Sequence, residues 1–216
     1  MTQRVFEDRR DAGRRLASLL REHGPWSHPV VLGIPRGGVP VAAPVADALA
    51  LALDVLVVRK LGLPRHEEVA MGAIGEQGAR VLNEDVLRHG GVDERTLGAV
   101  ERRERAELES RVRRFRGDAP PVDLAGRTAI IVDDGVATGA TARVACLVAR
   151  QRGAASVVLA VPVASPDAAV DLVASPAIDE LVCLATPSAF MAVGQYYLEF
   201  TQTTDAEVQA LLASSR

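Results

Sequence analysis

The apolar run Ala129-Ile130-Ile131-Val132 passes without a break into Asp133-Asp134-Gly135-Val136-Ala137-Thr138-Gly139-Ala140-Thr141, and that junction leaves few folds open. A strand that ends in two carboxylates and turns through small and hydroxyl residues into the helix-compatible stretch Ala142 to Arg150 is a strand-loop-helix unit. In such a unit the backbone N–H groups of Ala137 to Thr141 converge near the positive end of the following helix. They can hold a phosphate monoester there without a cationic side chain. Asp133 and Asp134, at the strand's carboxyl end, are acceptors placed for a pair of vicinal hydroxyls. Phosphate and diol together point to a ribose 5-phosphate pocket. Acid pairs beside Gly-containing turns also serve as plain solvated caps in many α/β chains. The full pattern, from strand through loop to helix, demands more than a cap does.

The rest of the chain alternates the same two patterns. A helix is expected from about Arg9 to His23, with Leu16, Ala17, Leu19 and Leu20 as its apolar stripe. A strand follows at Pro29–Ile34, the turn Pro35-Arg36-Gly37-Gly38, a small-residue helix from Val39 to about Ala52, and a second strand at Asp54–Val58. Beyond the strand at Thr128–Val132 come a helix at Ala140–Arg152, a strand at Ser156–Val161, a helix at about Asp167–Ala174 and a strand at Asp179–Leu184. Five strands joined by helical crossovers predict an α/β fold, a doubly wound and mainly parallel five-stranded sheet in one domain spanning 1–216, with ligands beyond the strands' carboxyl ends. An apolar content of 48% with only 3% aromatic residues suits a core of Ala, Val, Leu and Ile between helices and a parallel sheet, and speaks against an all-β sandwich.

Two stretches stand outside this alternation. Leu61 to Leu82 is Gly-rich without strong periodicity, as a mobile flap or loose hairpin would be. Residues 92–116 are densely charged, with Leu97, Val100, Leu108, Val112 and Phe115 near one helical face, which reads as a solvated helix packed by one edge more than as a dimerisation arm.

Charge and composition exclude several classes. A net charge of -3 gives no general nucleic-acid surface, although Arg102, Arg103, Arg105, Arg111, Arg113 and Arg114 could form a modest cationic stripe. There is no stretch of about 18 apolar residues to span a bilayer, and Met1 to Arg15 is charged throughout, so a cytoplasmic protein is expected. Cys146 and Cys183 are far apart, and the histidines at 23, 28, 66 and 89 are scattered, so a zinc site held by the protein has little support.

Two further segments fit a sugar-phosphate ligand. Gly33-Ile34-Pro35-Arg36-Gly37-Gly38 can bring backbone N–H groups and one guanidinium close to a diphosphate. Arg59-Lys60 sets two cations side by side after the second strand, where water or an anion must separate them; Lys60 is the only lysine among 25 basic residues.

The Asp133–Thr141 stretch resembles the signature of the type I phosphoribosyltransferases, whose ligand is phosphoribosyl pyrophosphate. The likeness runs from about Val30 to Phe200 and is greatest to bacterial predicted phosphoribosyltransferases of unassigned base. It implies that Ala137, Thr138, Gly139, Ala140 and Thr141 hold the 5-phosphate, that Asp133 and Asp134 orient the ribose hydroxyls, and that Arg36 and Gly37 meet the pyrophosphate. It also implies Mg2+ held mainly by the substrate rather than by side chains. Arg59 to Pro64 is similar to the Arg-Lys-x-Gly-x-Leu-Pro run of adenine phosphoribosyltransferases, one residue shorter. Gly75-Glu76-Gln77-Gly78 looks like the tip of that enzyme's catalytic flap, which makes Glu76 a candidate proton donor or acceptor.

Thr186 to Tyr197, within a hood of about 185–216, is similar to the base-stacking segment of the same subgroup, with Phe190 in the stacking place. Phe190, Tyr196 and Tyr197 read equally as a stacking surface and as an apolar plug anchoring the C-terminal tail. Ala137 stands where 6-oxopurine enzymes carry an aspartate, and no lysine lies near the last strand. The expected activity is Mg2+-dependent transfer of phosphoribose to a nitrogenous acceptor, a nucleobase, by a protein that by family analogy is a homodimer and binds no membrane. The alternative is a non-catalytic regulator that senses phosphoribosyl pyrophosphate or a nucleotide. A receiver or phosphohydrolase using Asp133 or Asp134 covalently would leave the Thr-Gly-x-Thr loop without a purpose.

Overall fold

In the computed structural model, which describes residues 6–64 and 66–215, the chain folds as helices around two sheets. Its elements run α1 (Arg9–His23), β1 (Val30–Gly33), α2 (Gly38–Leu49), β2 (Leu53–Val55), β3 (Val58–Leu63), β4 (His66–Gly75), β5 (Arg80–Leu82), α3 (Glu84–His89) and α4 (Glu94–Arg116). They continue with β6 (Thr128–Val132), α5 (Ala140–Gln151), β7 (Ser156–Val163), α6 (Pro166–Val173), β8 (Glu180–Ala185) and α7 (Asp205–Ser214). The main sheet has the order β2-β1-β6-β7-β8, with every neighbouring pair parallel. The second sheet, β3-β4-β5, is antiparallel.

A strand buried on both faces sends alternate side chains into two separate cores. Val31, Ile130, Val132, Val158 and Ala160 pack with Leu16, Leu20 and Val45 of α1 and α2, while Leu32, Ile131, Val157 and Leu159 pack with Val148 and Leu172 of α5 and α6. Cys146 is fully buried in the second of these, and burial pushes its thiol up to about 12, so it behaves as a small apolar residue.

The expected second strand, Asp54–Val58, divides in two. Leu53–Val55 pairs with β1, and the chain then leaves the parallel sheet and begins the antiparallel one at Val58. The segment expected to be a mobile flap or loose hairpin forms this antiparallel sheet, with Leu61, Met71 and Ile74 fully buried in the first core. Its glycines are packing devices. A Cβ on Gly75 would lie 2.2 Å from Val148 Cγ1 of α5, and one on Gly72 2.6 Å from the Val81 carbonyl oxygen. Register shifts around Gly62 break the period-two pattern that would have marked the strand.

The charged stretch at 92–116 is the helix α4, packed by one edge through Leu97, Leu108 and Phe115. Its arginines do not form a free cationic stripe: Arg105 pairs with Glu101, Arg111 with Glu107 and Arg113 with Glu109, each four residues away, and Arg114 reaches Asp205. Among the described residues no helix is long and apolar enough to cross a membrane.

Candidate active site

From β1 the chain goes through α2 to β2 on one side of the sheet; from β6 it goes through α5 to β7 on the other. The loops after these two adjacent strands part, and a crevice opens at the sheet's carboxyl edge where the winding reverses. Ile34 N–H donates to the Val132 carbonyl at 2.9 Å and Leu56 N–H to that of Gly33 at 3.0 Å, so the loop starts are fixed by the sheet.

The loop after β6 is braced from behind. Val136 N–H donates to Val163 O at 2.8 Å, Ser165 N–H to Val136 O at 2.9 Å, and the Ser165 hydroxyl to Ala137 O at 2.7 Å. Gly139 takes a left-handed conformation, φ 76°, directly before α5, while Ala137, Thr138, Ala140 and Thr141 are exposed around it. The amides of the first turn of a helix have no carbonyl four residues back to accept them. On a twelve-residue helix they carry the positive dipole end toward the crevice.

Thr138, Ala140 and Thr141 form one wall of a cavity of about 400 Å³, closed by Ile34 and Pro35 of the first loop, Arg59 and Lys60 of β3, and Arg111 of α4. Successive residues of a strand face opposite ways. Arg59 turns to α4, where its Nε and Nη2 donate to one oxygen of buried Glu104 at 2.9 and 2.6 Å. The repulsion expected between Arg59 and Lys60 is thus relieved by a protein carboxylate as well as by strand geometry. Arg111, which the sequence offered only as part of a cationic stripe, contributes to the cavity wall. A neighbouring, more apolar cavity of about 610 Å³ shares Thr138 and Ala140 and is walled by Ala70, Val81, Leu82 and Leu147.

The acid pair sits where β6 ends. Asp133 Oδ1 accepts the Asp134 N–H at 2.9 Å, and Asp134 Oδ2 accepts Arg9 Nε at 2.9 Å and Nη2 at 2.8 Å. Burial, and then the neighbouring Asp134 charge, hold the Asp133 carboxyl well above the usual carboxylate range. Burial raises Asp134 too, with Arg9 opposing. Gly37, in the turn after β1, approaches so closely that a Cβ there would lie 2.0 Å from Asp134 Oδ2. Gly37→Ala must therefore displace that carboxylate. The expected result is a loss of about tenfold or more in ribose 5-phosphate affinity by calorimetry, with the fold retained.

Three residues singled out from sequence lie elsewhere. Glu76 is buried in the turn between β4 and β5, and both its carboxylate oxygens accept from the Arg116 guanidinium, one at 3.1 Å. Its neighbours include Gln77 and Arg113, and it does not border the cavity beside Thr138. Arg36 extends over the surface toward Asp205 at the start of α7, 3.5 Å away. Phe190 stacks on Tyr196 with ring centroids 5.7 Å apart and packs, partly buried, against a cluster that includes Phe6 and Tyr197.

The family model described as the phosphoribosyl transferase domain matches residues 6–178. The chain belongs to the type I phosphoribosyltransferase family. A Mycobacterium tuberculosis protein named "Putative phosphoribosyl transferase Rv0571c" is 56% identical over 209 residues, which are 97% of this chain and 46% of that protein. The chain thus spans about half the length of the curated relatives it matches. The crystal structure of TT1426 from Thermus thermophilus superposes with a TM-score of 0.89 at 46% identity, covering 97% of this family member and 98% of TT1426. A hypothetical protein from Neisseria gonorrhoeae, solved with bound ppGpp, shares the phosphoribosyltransferase fold at a TM-score of 0.52 and 14% identity, covering 100% of this chain and 99% of its own.

Proposed function

We propose that this chain is a Mg2+-dependent phosphoribosyltransferase that moves phosphoribose from phosphoribosyl pyrophosphate to a nitrogenous acceptor, a nucleobase, and releases pyrophosphate. One observation carries the reading: the strand end that bears the acid pair Asp133–Asp134 leads directly into the loop and helix N-terminus whose exposed Thr138, Ala140 and Thr141 line a cavity. The 5-phosphate is placed on the amides around Gly139, and the ribose hydroxyls on Asp133 and Asp134. That fixes the anomeric carbon relative to the incoming nucleophile.

As the acceptor nitrogen forms its bond to that carbon, the bond to the pyrophosphate oxygen breaks and the leaving group takes the electron pair. The sugar gains positive charge and the leaving group negative charge. In this reading the acids serve the first, and Lys60 with Arg111, on the cavity wall beside Thr138, serve the second. Among the described residues no three His, Cys, Asp or Glu side chains converge as a metal site. In this reading the cation is brought by the substrate's own diphosphate and hydroxyls and would supply neutralisation of the leaving group.

Thr138→Val is expected to weaken ribose 5-phosphate binding by about tenfold and free pyrophosphate binding by much less, as calorimetry reads it. Equal losses would mean that the two phosphate positions are misassigned. The second reading, a non-catalytic sensor, draws on Arg59, whose charge is already met by Glu104 and so adds little to leaving-group stabilisation. Purified protein given phosphoribosyl pyrophosphate, Mg2+ and each of adenine, hypoxanthine, guanine, xanthine, uracil and orotate separates the two. Pyrophosphate release with one of them supports transfer, and binding without release from any supports sensing.

A further inference from the structure

We propose that Arg9 is a positioning residue, which locks the Asp134 carboxylate in place and makes sugar recognition depend on a latch between the chain's first helix and its C-terminal tail. The inference rests on the ribose-binding role given to the acid pair above.

Arg9 opens α1, yet its guanidinium engages two distant segments. Nε and Nη2 both meet Asp134 Oδ2, at 2.9 and 2.8 Å, and Nη1 donates to the Thr201 carbonyl at 2.7 Å. The planar group lies 3.9 Å from the centre of the Phe200 ring, so it is stacked as well as paired. Both partners of the ion pair are largely out of water, with side chains 12% and 16% exposed. A free side chain would not be held there.

The tail is tied down by the same contact region. Phe6 N–H donates to Tyr196 O at 2.9 Å, Leu198 N–H to Phe6 O at 2.8 Å, and Glu199 N–H to Glu7 O at 2.8 Å, making a short parallel ribbon. From it the Tyr197 hydroxyl donates to the Asp134 backbone carbonyl at 2.6 Å. Asp134 is thereby gripped at its carboxylate by Arg9 and at its carbonyl by Tyr197, with Gly37 so close that a Cβ there would meet the carboxylate. Both Arg9 nitrogens fall on Oδ2, which leaves Oδ1 outside that contact.

The titratable and charged groups around Asp134 are Asp133 on the same loop, Arg9 from α1 and Tyr197 from the tail. Of these only Arg9 is positive. It favours the charged form of Asp134, opposing the effect of burial, while Asp133 is raised further by the neighbouring Asp134 charge. The two acids are therefore unequal partners for a diol. A symmetric pair could not be read in a single orientation.

The test uses the full chain and three variants, Arg9→Gln, Arg9→Lys and Phe200→Leu. Calorimetry with Mg2+ and ribose 5-phosphate, and separately with inorganic phosphate, is expected to show Arg9→Gln weakening the sugar phosphate by about tenfold or more and inorganic phosphate by under about twofold. Arg9→Lys should recover part of the loss, because it keeps the charge without the fork, and Phe200→Leu should show a smaller loss of the same selectivity. Equal losses for both ligands, or none, would overturn the proposal in favour of a purely structural ion pair. Carbon-13 titration of the Asp134 carboxyl needs no ligand: it should move upward in Arg9→Gln, and an unmoved titration overturns the proposal independently. Wild-type protein that binds no ribose 5-phosphate would end the ribose-binding role itself, while the titration would still decide what Arg9 does to Asp134.

Discussion

Asparagine at both 133 and 134 is expected to lower pyrophosphate release by at least about a thousandfold without unfolding the protein. The substitution keeps shape and one acceptor oxygen per side chain. It removes the negative potential beside a ribose that becomes cationic in the transition state, and it adds N–H donors where hydroxyl protons must point. The electrostatics also separate loss of activity from loss of fold. Burial raises the Asp133 carboxyl above its ordinary value, so between that value and the folded one the native state binds more protons than the unfolded state. Stability contributed by this group therefore falls as pH rises through that window, and at neutral pH the buried carboxyl is a net cost. Asp133→Asn alone should then raise the urea midpoint at pH 7 while turnover falls, with the gain fading toward acid pH. Turnover like that of wild type, or a midpoint lowered at pH 7 and not at pH 4, would contradict the placement of this acid at a desolvated sugar site.

What the sequence made legible was local. The Asp133–Thr141 loop, the strand before it and the helix that follows lie within a few residues of one another, and each other parallel strand carries its own apolar run, so periodicity and turn chemistry were enough to place them. The antiparallel sheet was not legible, because Gly72 and Gly75 look like loop residues until the Val81 carbonyl and the Val148 side chain are seen pressing on them. Arg9 carried no local signal. Its partner lies 125 residues away, and its neighbours in sequence are simply the charged start of an amphipathic helix. For Arg59 and Glu76 the missing information is also long-range: a charge beside a strand end suggested a ligand, and Glu104 and Arg116, distant in the chain, supply counter-charges that the sequence does not show.

Arg116→Leu is expected to be the most destabilising single substitution away from the crevice, by about 3 to 5 kcal/mol. The guanidinium, 1% exposed, holds together elements that share no sequence neighbourhood. Nε donates to Asp54 Oδ1 at 2.9 Å beside β2, Nη2 to the Val55 carbonyl at 2.7 Å, and both terminal nitrogens to Glu76 at the β4–β5 turn. Asp54 Oδ2 in turn accepts the Val122 N–H at 2.9 Å, and Arg152 donates to the Val122 carbonyl at 2.7 Å and to Gln77 Oε1 at 2.8 Å. Burial alone would make Arg116 easier to deprotonate, but Glu76 and Asp54 more than offset it and hold the guanidinium above its ordinary value. Removing it strands two buried carboxylates, a penalty that should appear as a fall in melting temperature on the order of 10 °C. The triple variant Arg116→Leu, Glu76→Gln, Asp54→Asn should recover much of it, since the cost lies in unpaired charge more than in lost attraction. Glu76→Gln alone separates the two roles offered for this residue. As a partner of Arg116 it should lower stability and leave the folded protein's turnover near that of wild type. A collapse of turnover at unchanged stability would instead return Glu76 to the chemistry.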